Sequence, residues 1–226
     1  MTYTAHETDT VVTLEPPRAA NAAVIWLHGL GADGYDFVPI VEELRLPSSL
    51  AVRFVFPHAR ARPVTINNGF VMRAWYDIKG LNREGGEDDE GIRESAVVVR
   101  DCLGLEAARG IAANRIVLAG FSQGGAIALH AGLRHPDTLA GVMALSTYLP
   151  LRASVAQEAS TANQATPIFM CHGAQDGVVP IQMGEASRDM LSSLGYSVEW
   201  RTYPMQHSVC MEEVNDISRW LQLRLQ

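Results

Sequence analysis

The sequence predicts an α/β domain built on a mostly parallel sheet, and two observations lead to this class. Short apolar runs alternate with segments of helical periodicity along most of the 226 residues. The later runs are apolar almost throughout, as expected of parallel strands that helices cover on both faces. Alternating strands and helices then imply right-handed crossovers within one domain that spans residues 1–226.

Seven segments are expected to form strands, because each is a short run rich in apolar and β-branched residues. They are residues 11–14, 23–27, 52–56, 115–120, 141–146, 167–172 and 197–203. The first strands follow one another with little helical pattern between them. An antiparallel edge is therefore expected at the N-terminal side of the sheet.

Helical periodicity marks five further segments, at residues 36–46, 89–109, 122–134, 181–194 and 212–225. Two long segments, 57–83 and 147–166, show no clear element. Loops of this length within compact domains often carry function. We therefore expect both segments to lie near a functional site.

The amino-acid composition limits the classes of function that the protein can have. Hydrophobic residues make up 47% and charged residues 19%, which is enough to bury a sizeable core. The net charge of −7 argues against a nucleic-acid partner. The chain lacks a run of 18 apolar residues, so no integral membrane segment is expected. The N-terminal residues do not resemble a signal peptide, and the chain has only three cysteines. Together these features predict a cytoplasmic protein.

A serine lies at a corner between a predicted strand and a predicted helix. Residues 120–124, "GFSQG", match the G-x-S-x-G nucleophile elbow. The sharp turn strains the serine backbone and leaves no room for side chains at Gly120 and Gly124. The Ser122 hydroxyl would stand at the helix start, where free amides and the helix dipole favour developing negative charge. Ser122 is therefore the predicted nucleophile.

A serine nucleophile needs a general base and a group that orients this base. On this architecture the expected chain order is serine, then a carboxylate, then histidine. Two pairings fit that order: Asp137 with His172, or Asp176 with His207. Asp137 follows the helix that Ser122 begins, so it belongs at the edge of the sheet opposite the site. Asp176 and His207 each follow a predicted strand at the correct edge, so His207 is the predicted base and Asp176 its orienting partner.

An oxyanion hole needs two backbone amides aimed at one point. One is expected from Gln123, the residue after the serine, and the other from the loop after an earlier strand. In "WLHGLGADG", residues 26–34, the glycines permit a close backbone approach and leave Leu30 as the second donor.

The same stretch supports a competing hypothesis. Residues 29–34, "GLGADG", also match the G-x-G-x-x-G fingerprint of a NAD(P)-dependent oxidoreductase. In that motif the glycines themselves open the helix, whereas here the helix is predicted to begin only near Asp36. A third alternative is a non-catalytic binding protein of the same fold. Metal-ligand spacing is not found, so no metal is expected.

The motifs, taken together, resemble the phospholipase/carboxylesterase family, which includes the acyl-protein thioesterases and has the α/β-hydrolase fold. The resemblance covers "WLHGLGADG", "FPHARARPVTINNGFVMRAWYDI", "DDEGIRES", "RIVLAGFSQGGAIALH", "ALSTYLP", "HGAQDGVVP" and "YPMQHSVCMEEV". The "ALSTYLP" segment resembles the bacterial branch in particular, and the low lysine content agrees with a bacterial origin. Gln206 and Met211 depart from the family pattern without removing a catalytic group.

The resemblance implies a serine hydrolase with a triad of Ser122, Asp176 and His207 and oxyanion donors at Leu30 and Gln123. It implies cleavage of short- to medium-chain carboxylic esters, thioesters or lysophospholipids without a cofactor. The partner would be a small acyl substrate, with an acyl chain near Leu30, Trp75 and Val178. The sequence leaves the choice among these substrates and the formation of a homodimer open.

Overall fold

The computed structural model describes residues 2–80 and 86–226, so the last residues of the expected long loop 57–83 lie outside the described part. Within it, ten strands are numbered along the chain. They are β1 (Thr4–Glu7), β2 (Val11–Glu15), β3 (Ala22–Leu27), β4 (Val52–Pro57), β5 (Ala61–Val64), β6 (Phe70–Arg73), β7 (Ile116–Phe121), β8 (Gly141–Leu145), β9 (Ile168–Gly173) and β10 (Val198–Tyr203).

Eight strands form one sheet in the order β1-β2-β4-β3-β7-β8-β9-β10. From β4 to β10 all neighbours are parallel, whereas β1 and β2 form an antiparallel edge. The expected mostly parallel sheet with an antiparallel N-terminal edge is therefore confirmed. Leu27 pairs with Gly120, and Phe121 pairs with Leu145, so the carboxyl ends of β3, β7 and β8 meet at one edge.

Six α-helices lie in the described part of the chain. They are α1 (Ile40–Glu43), α2 (Asp89–Ala108), α3 (Gln123–Arg134), α4 (Val155–Glu158), α5 (Ile181–Ser193) and α6 (Met211–Leu225). Apolar residues of α2, α3 and α5 form one core on one face of the sheet, and those of α1 and α6 form a second core on the other face. The covering of both faces explains why the central strands are apolar throughout.

The structure differs from the sequence prediction in its shortest elements. The helix expected over 36–46 is only Ile40–Glu43, because the chain turns before it and Arg45, at φ 45°, ends it. β1 is fully exposed and therefore has no apolar pattern. The long loop from residue 57 contains the hairpin β5–β6, whose strands have only four residues each. Among the described residues, no helix is long and apolar enough to cross a membrane.

Candidate active site

Ser122 lies between β7 and α3 in a conformation that is rare for a residue with a side chain. Its φ is 54° and its ψ is −121°. Hydrogen bonds hold this strained corner: the Ser122 N–H donates to the Leu145 carbonyl at 2.8 Å, and the Thr147 hydroxyl donates to the Ser122 carbonyl at 2.6 Å. The surroundings thus fix the direction of the Ser122 side chain before any ligand binds.

A hydrogen-bonded chain links this serine to two distant loops. His207 Nε2 lies 2.9 Å from Ser122 Oγ, and His207 Nδ1 lies 2.7 Å from Asp176 Oδ2. The carboxylate accepts a hydrogen bond from Nδ1–H, so the lone pair of Nε2 faces the serine hydroxyl, as proton abstraction requires. The three residues that were predicted from the order of motifs are in contact, although 85 positions separate Ser122 from His207.

Both oxygens of the Asp176 carboxylate accept hydrogen bonds. Its Oδ1 accepts the N–H groups of Val178 and Val179 at 2.9 and 2.8 Å, while Oδ2 bonds His207. Asp176 is 8% exposed. Because its hydrogen bonds come from fixed backbone groups, the carboxylate can orient the imidazole without moving.

The alternative pairing of Asp137 with His172 is not formed. Asp137 lies 3.8 Å from His135, beyond the end of α3. His172 is buried on β9, and its Nε2 donates to the Val179 carbonyl at 2.8 Å. Burial lowers the pKa of His172, so this ring is neutral. It supports the loop that carries Asp176 rather than replacing His207.

The two residues predicted to supply the oxyanion amides, Leu30 and Gln123, line the same cleft as Ser122. Gly29 lies so close that a Cβ on it would be 3.6 Å from Ser122 Cβ, which places the loop after β3 beside the serine corner. Within residues 2–80 and 86–226, neither the Leu30 amide nor the Gln123 amide donates to a backbone carbonyl. Both amides are therefore available to an oxygen bound next to Ser122.

A cleft of about 350 Å³ opens over these groups. Ser122 and His207 line it, and most of its wall is apolar. The apolar and aromatic wall residues are Leu30, Ala32, Ile66, Tyr76, Ile78, Phe121, Tyr148, Val178, Val179 and Met183. Both long segments singled out in the sequence contribute to this wall, so their expected place near a site is correct.

The structure places the two expected acyl contacts differently. Val178 lines the cleft and is 57% exposed. Trp75 is only 1% exposed, lies behind the wall, and donates its indole N–H to the His28 carbonyl at 2.9 Å. The expectation that Trp75 contacts an acyl chain is corrected accordingly: its neighbour Tyr76 faces the cleft, because successive residues of an extended segment point in opposite directions.

The glycine-rich stretch 29–34 does not have the local structure that dinucleotide binding requires. The first helix after the glycine-rich stretch 29–34 begins at Ile40, so these glycines do not open a helix. Gly29 and Leu30 instead line the cleft beside Ser122.

Sequence reasoning did not identify the hydrogen-bond partners of the His28 and Gln123 side chains. His28 is buried, its Nε2 accepts the Ala59 N–H at 3.0 Å, and its Nδ1 lies 2.7 Å from the Gly29 carbonyl. Burial lowers the pKa of His28 to about 4, so the ring is neutral. The Gln123 side chain bridges Trp75 and Tyr76. The sequence has a histidine two residues before Leu30 and a glutamine at the other oxyanion position, but the hydrogen-bond partners of both side chains depend on the tertiary fold.

Comparison with known proteins identifies the class of the chain. Residues 8–225 match the phospholipase/carboxylesterase family model. Acyl-protein thioesterase 1 of Neurospora crassa is 42% identical over 213 residues, covering 90% of this chain and 87% of the relative. The protein of the same name from Yarrowia lipolytica is 40% identical, covering 92% and 94%.

Solved structures of other proteins have the same overall fold. Arabidopsis thaliana SOBER1 has a TM-score of 0.86 at 32% identity and covers 92% of this chain and all of its own. Zea mays acyl-protein thioesterase 2 has a TM-score of 0.85 at 30% identity, covering 96% and 99%.

The protein is thus an enzyme with the α/β-hydrolase fold. It belongs to the phospholipase/carboxylesterase family, whose members among these relatives include fungal acyl-protein thioesterases. The expected assignment to a bacterial branch is not supported, because these curated relatives are fungal. The "ALSTYLP" segment and the low lysine content therefore do not indicate the branch.

Proposed function

We propose that the protein is a serine hydrolase that cleaves carboxylic thioesters and esters of short to medium acyl chains through an acyl-enzyme. The observation that carries the proposal is the continuous hydrogen-bonded chain from Ser122 through His207 to Asp176. Ser122 and His207 line a mostly apolar cleft, which suits an acyl group whose carbonyl reaches the serine.

The first half of the reaction forms the acyl-enzyme. Ser122 Oγ attacks the acyl carbonyl carbon while His207 Nε2 takes the hydroxyl proton. Asp176 stabilises the imidazolium, and the Leu30 and Gln123 amides stabilise the oxyanion. As the tetrahedral intermediate collapses, the bond to the leaving oxygen or sulfur breaks, and His207 returns the proton to the alcohol or thiol.

The second half regenerates the enzyme. Water gives a proton to His207 Nε2 and attacks the acyl carbon, and the same two amides hold the second oxyanion. Collapse breaks the bond to Ser122 Oγ, which recovers its proton from His207, and the acid leaves. These steps use only groups of this chain and water.

The names of the relatives favour thioesters among the substrates, because acyl-protein thioesterases recur at about 40% identity over most of the chain. Lysophospholipids have the same ester chemistry and remain within the proposal. The cytoplasmic location and a homodimer stay predictions.

The proposal is tested by a hydrolysis profile over matched oxygen-ester and thioester substrates with acyl chains from two to sixteen carbons. Ser122→Ala serves as the control for catalysis at this site. We expect turnover of both classes by the wild type and none by the variant. Undiminished hydrolysis by Ser122→Ala contradicts the proposed site, and a wild type without turnover but with acyl-ester binding supports the non-catalytic alternative.

A further inference from the structure

Residues 73–76 connect the loop after β3, which carries the Leu30 amide, to the start of α3, which carries the Gln123 amide, and we call this segment the oxyanion brace. On one side it holds the loop after β3 at two points. The Gly31 N–H donates to the Arg73 carbonyl at 2.9 Å, and the Trp75 indole N–H donates to the His28 carbonyl at 2.9 Å. These two bonds lie on either side of Leu30 in the sequence, so they limit rotation of its amide.

On its other side the oxyanion brace holds the start of α3. The Trp75 backbone N–H donates to Gln123 Oε1 at 2.8 Å, and Gln123 Nε2 donates to the Tyr76 carbonyl at 2.6 Å. Gln123 is 3% exposed, so its amide group depends on these partners for its hydrogen bonds. The residue whose backbone faces the cleft is therefore fixed by its own side chain.

The oxyanion brace is itself rigidly anchored. The Ser95 hydroxyl on α2 donates to the Trp75 carbonyl, and the Ala74 N–H donates to the Arg60 carbonyl at 3.1 Å. The Trp75 ring packs against the His28 ring with centroids 5.2 Å apart. Trp75 thus uses its backbone N–H, its carbonyl and its indole N–H in three different directions, which a contact made only for packing does not require.

We propose that Trp75 is a positioning residue that fixes the spacing and direction of the two oxyanion amides. It holds the Leu30 amide through the loop after β3 and the Gln123 amide through the Gln123 side chain. The inference rests on the proposed function, because it assigns a purpose to amides that the reaction must use. Oxyanion stabilisation depends on donors that are already aimed before charge develops. A misplacement of about 1 Å at such a site costs on the order of a hundredfold in rate.

Two substitutions separate this function from packing. Trp75→Phe keeps an aromatic ring but removes the indole N–H, which leaves the His28 carbonyl without that donor. Gln123→Met keeps the backbone amide and the side-chain length but removes both bonds to the oxyanion brace. Trp220→Phe is the matched control, since Trp220 is also buried but packs against Gly141, at the opposite end of the sheet.

The readouts are kcat per serine titrated with a fluorophosphonate, KM, and the affinity of an aryl boronic acid, which forms a tetrahedral adduct on the serine. For Trp75→Phe and Gln123→Met we expect kcat to fall by about tenfold to a hundredfold. The boronate affinity should fall in parallel, and KM should stay within about twofold. Trp220→Phe should keep the wild-type kcat per titrated serine.

Equal kcat and boronate affinity in the wild type and in either folded variant would overturn the inference. A rise in KM without a change in kcat would overturn it too, because it would make Trp75 a contributor to substrate binding. If Trp75→Phe does not fold, the kcat and the boronate affinity of Gln123→Met alone decide whether the inference stands. These outcomes are distinct from failure of the proposed function, in which the wild type does not hydrolyse acyl esters or Ser122→Ala still does.

Discussion

Gly120 packs directly against the backbone of Gly124 across the serine corner. A Cβ on Gly120 would lie 2.3 Å from the Gly124 carbonyl, and a Cβ on Gly124 would lie 2.4 Å from the Leu27 carbonyl. Both clashes involve backbone atoms, which cannot rotate away. The corner therefore requires glycine at both positions for steric reasons, and the strained backbone of Ser122 follows from how closely these segments approach.

An alanine at position 120 tests this packing. Gly120→Ala should lower the free energy of unfolding by about 1–3 kcal/mol, as overpacking does, and should reduce kcat because Ser122 shifts. Chemical denaturation and ester hydrolysis measure the two effects. Gly104→Ala on α2 is the control: a Cβ there meets nothing within 4 Å, and alanine should stabilise the helix by up to about 1 kcal/mol. A Gly120→Ala variant with wild-type stability would contradict the steric argument.

Asp176→Asn tests the orienting carboxylate. An amide N–H that faces His207 Nδ1 would favour the tautomer whose Nε2 carries the proton, and this Nε2 cannot accept the serine proton. By analogy with a serine protease we expect kcat to fall by about 10⁴-fold, while the fold is unchanged. Asp137→Asn, at an exposed carboxylate, should leave kcat as it is. A loss of less than tenfold in Asp176→Asn would show that Asp176 does not orient the base.

Val178 tests the path of the acyl chain. It lines the cleft and is more than half exposed, so a bound acyl chain would cover it. Val178→Ala should lower kcat/KM for octanoyl esters by about threefold to tenfold, through lost apolar burial, and leave acetyl esters unchanged. Val97→Ala, at a partly exposed valine on α2, is the matched control. Equal effects of Val178→Ala on both chain lengths would place the acyl chain elsewhere.

The buried carboxyl group of Glu213, on α6, should make the free energy of unfolding depend on pH. It is fully buried beside Cys171 and Asp216, and burial raises its pKa from 4.5 to about 8. The folded state therefore binds the proton more tightly than the unfolded state. The bound proton therefore adds to the free energy of unfolding. This contribution, on the order of a few kcal/mol, is complete below pH 4.5 and is lost as the pH rises through about 8.

Denaturation with urea between pH 4 and pH 9 measures this effect. In Glu213→Gln, which is neutral at every pH, this part of the pH dependence should vanish. Glu212→Gln, at the exposed neighbour, should retain it. A wild type and a Glu213→Gln variant with parallel stability profiles would show that Glu213 is ionised in the folded protein at neutral pH.

The sequence predicts the main sheet and the three residues of the proposed triad for a common reason. Central strands covered on both faces must be apolar, and the positions of Ser122, Asp176 and His207 follow from chain order and from the sheet edge at which strands end. The short β5–β6 hairpin and the place of Trp75 were not predictable in this way. Trp75 has a conformation fixed by His28 and Gln123, which lie 47 and 48 residues away, and no local pattern reports such contacts.

In the proposed reaction one serine, activated by His207, carries the acyl group. Reaction with a fluorophosphonate, followed by intact-mass measurement and peptide mapping, shows which residue this is. We expect one adduct per chain, located on Ser122, with esterase activity lost in proportion to labelling and with labelling greatly slowed in His207→Ala. Esterase activity that persists in fully labelled protein, or an adduct on another residue, would contradict the proposed reaction.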